Sequence, residues 1–131
     1  MKNILIIEDD AFLRDLISKK LSSSGFHTSE AVDGESGIKK MKEENPDLIL
    51  LDLLLPTMDG FEVLSAAKKD SAISAIPIIV LSNLGQKDDV DKGMNMGATD
   101  YLIKAQFTPE EIIAKVKNIF ENKVNPIPEK K

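Results

Sequence analysis

Pro46-Asp47-Leu48-Ile49-Leu50-Leu51-Asp52-Leu53-Leu54-Leu55-Pro56-Thr57-Met58-Asp59-Gly60 holds a strand, an acid and a shaped loop in fifteen residues. Leu48 to Leu51 form an apolar run without alternation, the pattern of a strand buried on both faces of a parallel sheet. The run ends in Asp52, and burying a carboxylate is costly unless water, a metal or a cation meets it. Pro56 cannot continue a central strand, and Met58-Asp59-Gly60 reads as a turn into a helix. Asp52 is therefore expected at the carboxyl end of a central strand, where open α/β sheets bind their ligands.

Working outward, the same alternation recurs. Ile4 to Ile7 is an apolar run closed by Glu8-Asp9-Asp10. Phe12, Leu13, Leu16, Ile17 and Leu21 follow at helical spacing, with Gly25 as a stop. Phe26 to Ala31 is short and half polar, as an edge strand is. Asp33-Gly34-Glu35 opens a second helix with Ile38 and Met41 inward, stopped at Asn45-Pro46. Beyond the central stretch, Phe61, Val63, Leu64 and Ala67 mark a third helix. Ile78 to Leu81 is a buried strand closed by Ser82-Asn83. Asp88 to Met96 is a weakly amphipathic helix ended by Gly97, and Tyr101-Leu102-Ile103 is a short strand closed by Lys104. Thr108-Pro109-Glu110-Glu111 is a capping box with proline at the first helical position, opening a helix with Ile112, Ile113, Val116, Ile119 and Phe120 inward.

Five strand–helix units in alternation predict an α/β fold, a doubly wound parallel sheet with helices on both faces. The most apolar strands, first, third and fourth, belong inside, and the polar second and short fifth belong at the edges. That is the order 2-1-3-4-5. Residues 1–123 form one domain, and 124–131, with Pro126 and Pro128, read as a flexible tail.

Composition narrows the function. A net charge of −5 gives no electrostatic footprint for nucleic acid, so no direct nucleic-acid contact is expected. Without cysteine there is no disulfide or thiolate chemistry. No apolar run approaches ~18 residues and no signal-peptide profile opens the chain, so no membrane association and a cytoplasmic location are expected. His27, the single histidine, lies on the edge strand, away from the acids.

Parallel strands place their carboxyl ends on one edge, so Glu8, Asp9, Asp52, Ser82 and Lys104 are expected to converge. Three carboxylates there repel one another and raise each other's pKa unless a cation sits among them. Hard oxygen ligands around an open position suit Mg²⁺. An Asp can attack phosphorus and form an acyl phosphate, with a lysine and a serine hydroxyl stabilising charge on the transferred group. Asp10 and Asp59 read as a helix-start acid and a turn residue rather than ligands.

Ile4-Leu5-Ile6-Ile7-Glu8-Asp9-Asp10, Asp52 with Pro56 and Met58-Asp59-Gly60, Ser82, and Gly97-Ala98-Thr99-Asp100-Tyr101-Leu102-Ile103-Lys104 together resemble the receiver domain of bacterial two-component response regulators, over about residues 3 to 122. The resemblance is to the single-domain, chemotaxis-regulator-like members, with their flavodoxin-like (βα)5 architecture. It implies that Asp52 takes a phosphoryl group from a phosphohistidine on a sensor histidine kinase or phosphotransfer protein. It implies Mg²⁺ on Asp9, Asp52 and the Leu54 backbone carbonyl, with Glu8 acting largely through water. Lys104 would pair with the phosphoryl group, Ser82 would swing towards it, and Tyr101 would follow inward. That movement would alter the surface of the fourth helix, fifth strand and fifth helix, which meets a downstream protein. The chain departs from the pattern at Ala105, where the family usually has a proline, often with a cis bond. A cis bond before a non-proline residue costs about 2.5–4 kcal/mol, which leaves the Lys104–Ala105 geometry open.

Three other readings share parts of this pattern. A Mg²⁺-dependent phosphohydrolase with an Asp nucleophile usually has a second acid two residues on, where this chain has Leu54. A flavodoxin-like FMN protein needs a phosphate-cradling loop after the first strand, where Glu8-Asp9-Asp10 would repel the phosphate. A receiver cut from a longer transcription factor remains open, although these residues contain no DNA-binding motif.

Overall fold

The structure is a computed structural model and describes residues 1–124. Five strands, β1 (Asn3–Ile7), β2 (His27–Ala31), β3 (Leu48–Leu51), β4 (Ile78–Ser82) and β5 (Asp100–Ile103), alternate with five helices. The helices are α1 (Ala11–Ser23), α2 (Gly34–Glu44), α3 (Gly60–Lys69), α4 (Lys87–Asn95) and α5 (Pro109–Val124), and a single 3₁₀ turn over Lys104–Gln106 precedes the last. All strand pairs are parallel and the order is β2-β1-β3-β4-β5. The expected order, with the half-polar and short strands at the edges, is therefore the one found. Of the expected tail, Val124 instead ends the last helix, and the rest, from Asn125 onward, lies outside the described residues.

The unbroken apolar runs are divided by the two-residue period of a strand. Leu5, Ile7, Ile49, Leu51, Ile78 and Val80 face a core completed by Met41 of α2 and by Val63, Leu64 and Ala67 of α3. Ile4, Ile6, Leu48, Leu50, Ile79, Leu81 and Leu102 face the opposite core, closed by Ile17 and Leu21 of α1 and by Ile112, Ile113 and Val116 of α5. Most of these side chains are fully buried. Each contributes on the order of 1.5–3 kcal/mol of transfer free energy, so a rigid two-sided slab presents the strand ends.

Helix starts at Asp10, Asp33 and Thr108 follow the expected caps, and Asp59, expected as a turn residue, caps a fourth. Asp10 accepts from the Phe12 and Leu13 amides, and Asp33 from Ser36. Asp59 and Glu62 form a reciprocal box, as do Thr108 and Glu111. Phe12 departs from the expected inward stripe: it is 79% exposed. With Asp10 as cap, Phe12 stands in the first turn, five residues before the buried Ile17, which is about 140° around the helix from it.

The loop after β3 is tightly determined. A Cβ on Gly60 would lie 2.4 Å from the Leu53 Cα and 2.5 Å from the Asp52 carbonyl oxygen, so α3 can start this close to the strand end only at a glycine. Within the loop, the Met58 amide bonds the Pro56 carbonyl at 2.7 Å across Thr57, whose φ is +65°. A β-branched residue is strained at that φ by about 1–3 kcal/mol. Thr57→Gly is expected to stabilise the protein by about 1 kcal/mol once the larger unfolded-state entropy of glycine is subtracted. Urea unfolding reads this directly, and a lower midpoint in the variant would show that the turn carries no such strain.

Candidate acidic phosphoryl and metal site

Glu8, Asp52 and Lys104 each lie one residue beyond the carboxyl end of a strand, Ser82 lies at one, and Asp9 follows Glu8. Asp52 continues β3 by one residue: its amide bonds the Ile7 carbonyl at 3.0 Å. Glu8 continues β1 likewise, bonding the Ala31 carbonyl at 3.0 Å. The sheet ladder thus pins both acids, and both are almost wholly buried, at 3% exposure. Asp9, next along, is exposed. The Glu8, Asp9 and Asp52 side chains each place a carboxylate oxygen within 4.8 Å of the others.

Lys104 enters from the 3₁₀ turn beyond β5. Its Nζ lies 2.7 Å from Glu8 Oε1 and 2.9 Å from Asp52 Oδ2, with only 16% of its side chain exposed. One cation thus answers three acids, leaving a local excess of negative charge. The second oxygens are also engaged: Asp10 N–H donates to Glu8 Oε2 at 3.0 Å, and Leu54 N–H to Asp52 Oδ1 at 3.1 Å. Burial pushes the Glu8 carboxyl up to about 7, with the Asp52 charge adding to the rise against the pull of Lys104 and the Asp10 amide. For Lys104, burial works to lower the pKa, but the bonds to Glu8 and Asp52 outweigh it and the net shift is upward. Two packed carboxylates, one exposed carboxylate and an unbalanced charge fit a hard divalent cation that keeps some of its water. Among the described peptide bonds none is cis, so Lys104 reaches the acids through a trans bond to Ala105.

Ser82 is the last residue of β4 and is fully buried. Its Oγ accepts a long bond, 3.4 Å, from the Leu84 amide. Tyr101 on β5 is directed inward, 9% exposed, and its hydroxyl donates to the Leu84 carbonyl at 2.5 Å. Ser82 and Tyr101 therefore meet on one residue of the β4–α4 loop. Leu84 carries this junction through backbone atoms, which have no residue-type signature, so the sequence pattern did not mark it. Its side chain packs on the core, whereas the Leu54 side chain is half exposed. His27 is exposed and pairs in register with Asn3, at the opposite edge of the sheet. Asp10 caps α1 as its position suggested, while Asp59, read as a turn residue, is the N-cap of α3; neither joins the acid cluster.

Burial pushes the Tyr101 hydroxyl up to about 12, with the Asp89 and Asp52 charges adding to it. Its raised folded-state value favours the neutral phenol. The associated stability is fully present below the unfolded value near 10 and is lost as pH rises through about 12. Tyr101 is the only tyrosine in the chain, so alkaline ultraviolet titration reports it alone. We expect a midpoint well above 10 in the folded protein; one near 10 would mean a solvated hydroxyl and no bond to Leu84.

Residues 4–117 match the response regulator receiver domain family. A curated relative, the DNA-binding dual master transcriptional regulator RpaA of a Synechocystis strain, is 43% identical over 117 residues, covering 89% of this chain and 48% of RpaA. The chain spans about half the length of the curated relatives it matches. Among solved structures, the CheY-like receiver domain protein of Methanospirillum hungatei superposes with a TM-score of 0.87 at 27% identity, over 95% of this chain and 97% of that one. The Mn²⁺-bound form of response regulator Rcp1 gives 0.79 at 28% identity, over the whole of both chains.

A five-stranded 2-1-3-4-5 parallel sheet with an acid cluster and a lysine at its carboxyl edge defines a receiver fold of two-component signalling. This chain belongs to the response regulator receiver domain family. No helix among the described residues is long and apolar enough to cross a membrane.

Proposed function

We propose that the chain is a phospho-accepting switch in which Asp52 receives a phosphoryl group from a phosphohistidine on a sensor kinase or phosphotransfer protein. The observation that carries this reading is Lys104 held between Glu8 and Asp52, with Asp9 exposed beside them. A carboxylate oxygen of Asp52 attacks phosphorus, the P–N bond breaks, and the imidazole leaves with its electron pair and takes up a proton. Asp9, Asp52 and the Leu54 backbone carbonyl would hold Mg²⁺, with Glu8 acting largely through water. When bound, Mg²⁺ neutralises charge on the phosphoryl oxygens. The acid cluster and the Mn²⁺ in the related Rcp1 structure support a divalent cation here.

Lys104, already within bonding distance of Asp52, would turn to the phosphoryl oxygens. Ser82 would leave its long bond to Leu84 for the same group, and the Leu84 junction would carry the change to Tyr101. The face formed by α4, β5 and α5 would then meet a downstream protein. Leu54, standing where phosphohydrolases place a second acid, supports a self-modifying switch over an enzyme with a separate substrate. The acidic loop after β1 opposes an FMN phosphate. We assign the module to residues 1–123 and to the cytoplasm. The net charge of −5 supports the absence of direct nucleic-acid contact by the receiver itself. Intact mass after incubation with acetyl phosphate and Mg²⁺ tests the reading: one phosphoryl adduct per chain supports it, and no adduct contradicts it.

A further inference from the structure

The three-residue link Glu8-Asp9-Asp10 between β1 and α1 carries two of the three clustered acids, and their mutual repulsion works to spread it. Arg14, one turn into α1, reaches back across this link. Its Nη1 donates to the Glu8 backbone carbonyl at 2.8 Å, and its Nε donates to Glu30 Oε1 on β2 at 3.0 Å. Its side chain is 16% exposed. The Glu30 carbonyl in turn accepts from Lys40 of α2. With the Glu8 amide on the Ala31 carbonyl, the Glu8 backbone is held from both sides, and Arg14 holds one of them.

We propose that Arg14 is a positioning residue for the cation site, fixing the acidic link through its two-pronged bond to the Glu8 carbonyl and Glu30. The inference rests on the reading of Glu8, Asp9 and Asp52 as a Mg²⁺ site. A guanidinium is suited to the task because its donors diverge in a fixed plane; a lysine can serve one acceptor but not both with the same geometry. Groups that orient metal ligands from outside the ligand set typically change affinity by about 10–100-fold when removed.

Charge and position make opposite predictions here, which gives the test its force. As a mere positive charge near the acids, Arg14 repels Mg²⁺, and its removal would tighten binding. As a positioning residue, its removal weakens binding. Mg²⁺ is titrated at constant ionic strength and followed by amide shifts, on wild type, Arg14→Gln, Arg14→Lys and Glu30→Gln. Arg14→Gln is expected to weaken Mg²⁺ about tenfold. Arg14→Lys should weaken it too, although the charge is kept, and amide hydrogen exchange at Asp9 and Asp10 should speed up in both. Adding Arg14→Gln to Glu30→Gln should weaken Mg²⁺ by less than the product of the separate effects.

Unchanged or tighter Mg²⁺ binding in Arg14→Gln, or wild-type affinity in Arg14→Lys, overturns the proposal. Urea midpoints on the same samples confirm folding. Should Arg14→Gln not fold, Arg14→Lys decides the matter, weakened Mg²⁺ binding supporting the proposal and wild-type affinity overturning it. A wild-type protein without Mg²⁺-dependent shifts would instead strike down the cation site on which the inference stands.

Discussion

Asp52→Asn is expected to abolish the phosphoryl adduct outright, the largest effect of any single change in this chain. The amide is isosteric but has no anionic oxygen to attack phosphorus. The fold should persist, because Lys104 keeps Glu8 as its partner and the Asp52 backbone amide keeps its bond to the Ile7 carbonyl. Intact mass on acetyl phosphate-treated wild type and variant decides the point. An adduct of equal yield in the variant would place the acceptor elsewhere and remove the assignment of Asp52.

Lys104→Met is expected to cost stability as well as function. It leaves Glu8 and Asp52, both almost wholly buried, with no counter-charge between them. Removing one partner from a buried ion cluster typically costs about 3–5 kcal/mol, far more than an exposed pair contributes. About 3 kcal/mol is expected in urea unfolding at pH 8 with chelator, at the lower end because the lysine retains some access to water. Two conditions should recover part of the loss. Mg²⁺ supplies a replacement cation. Lowering the pH towards 5 protonates Glu8, whose value near 7 in the wild type is held down by the very lysine removed. A raised carboxyl pKa in the folded state means stability is gained as pH falls through it, so the direction is fixed. A loss under about 1 kcal/mol, unaffected by Mg²⁺, would mean that the trio is solvated and that Lys104 does not organise it.

The amino-acid sequence by itself determined the architecture and the edge on which the site lies. Leu48–Leu51 and Ile78–Leu81 are legible because strands buried on both faces admit no polar residue until they end. The first polar group after each run therefore marks a strand end, and parallel topology sends Glu8, Asp52, Ser82 and Lys104 to one side. Asp10, Asp33 and Thr108 were legible for a local reason: a cap acts within three residues of itself. The outward turn of Phe12 was not, since apolar spacing suggests a stripe but does not fix which of its members faces the core. The sharing of Lys104 between Glu8 and Asp52, the meeting of Ser82 and Tyr101 on Leu84, and the hold of Arg14 on the Glu8 carbonyl were decided only by tertiary structure. Two of these three arrangements run through backbone carbonyls or amides, which every residue possesses and no sequence pattern distinguishes. All three join residues whose distance is set by strand register and by the seating of helices on the sheet, so their chemistry exists only once both cores have closed.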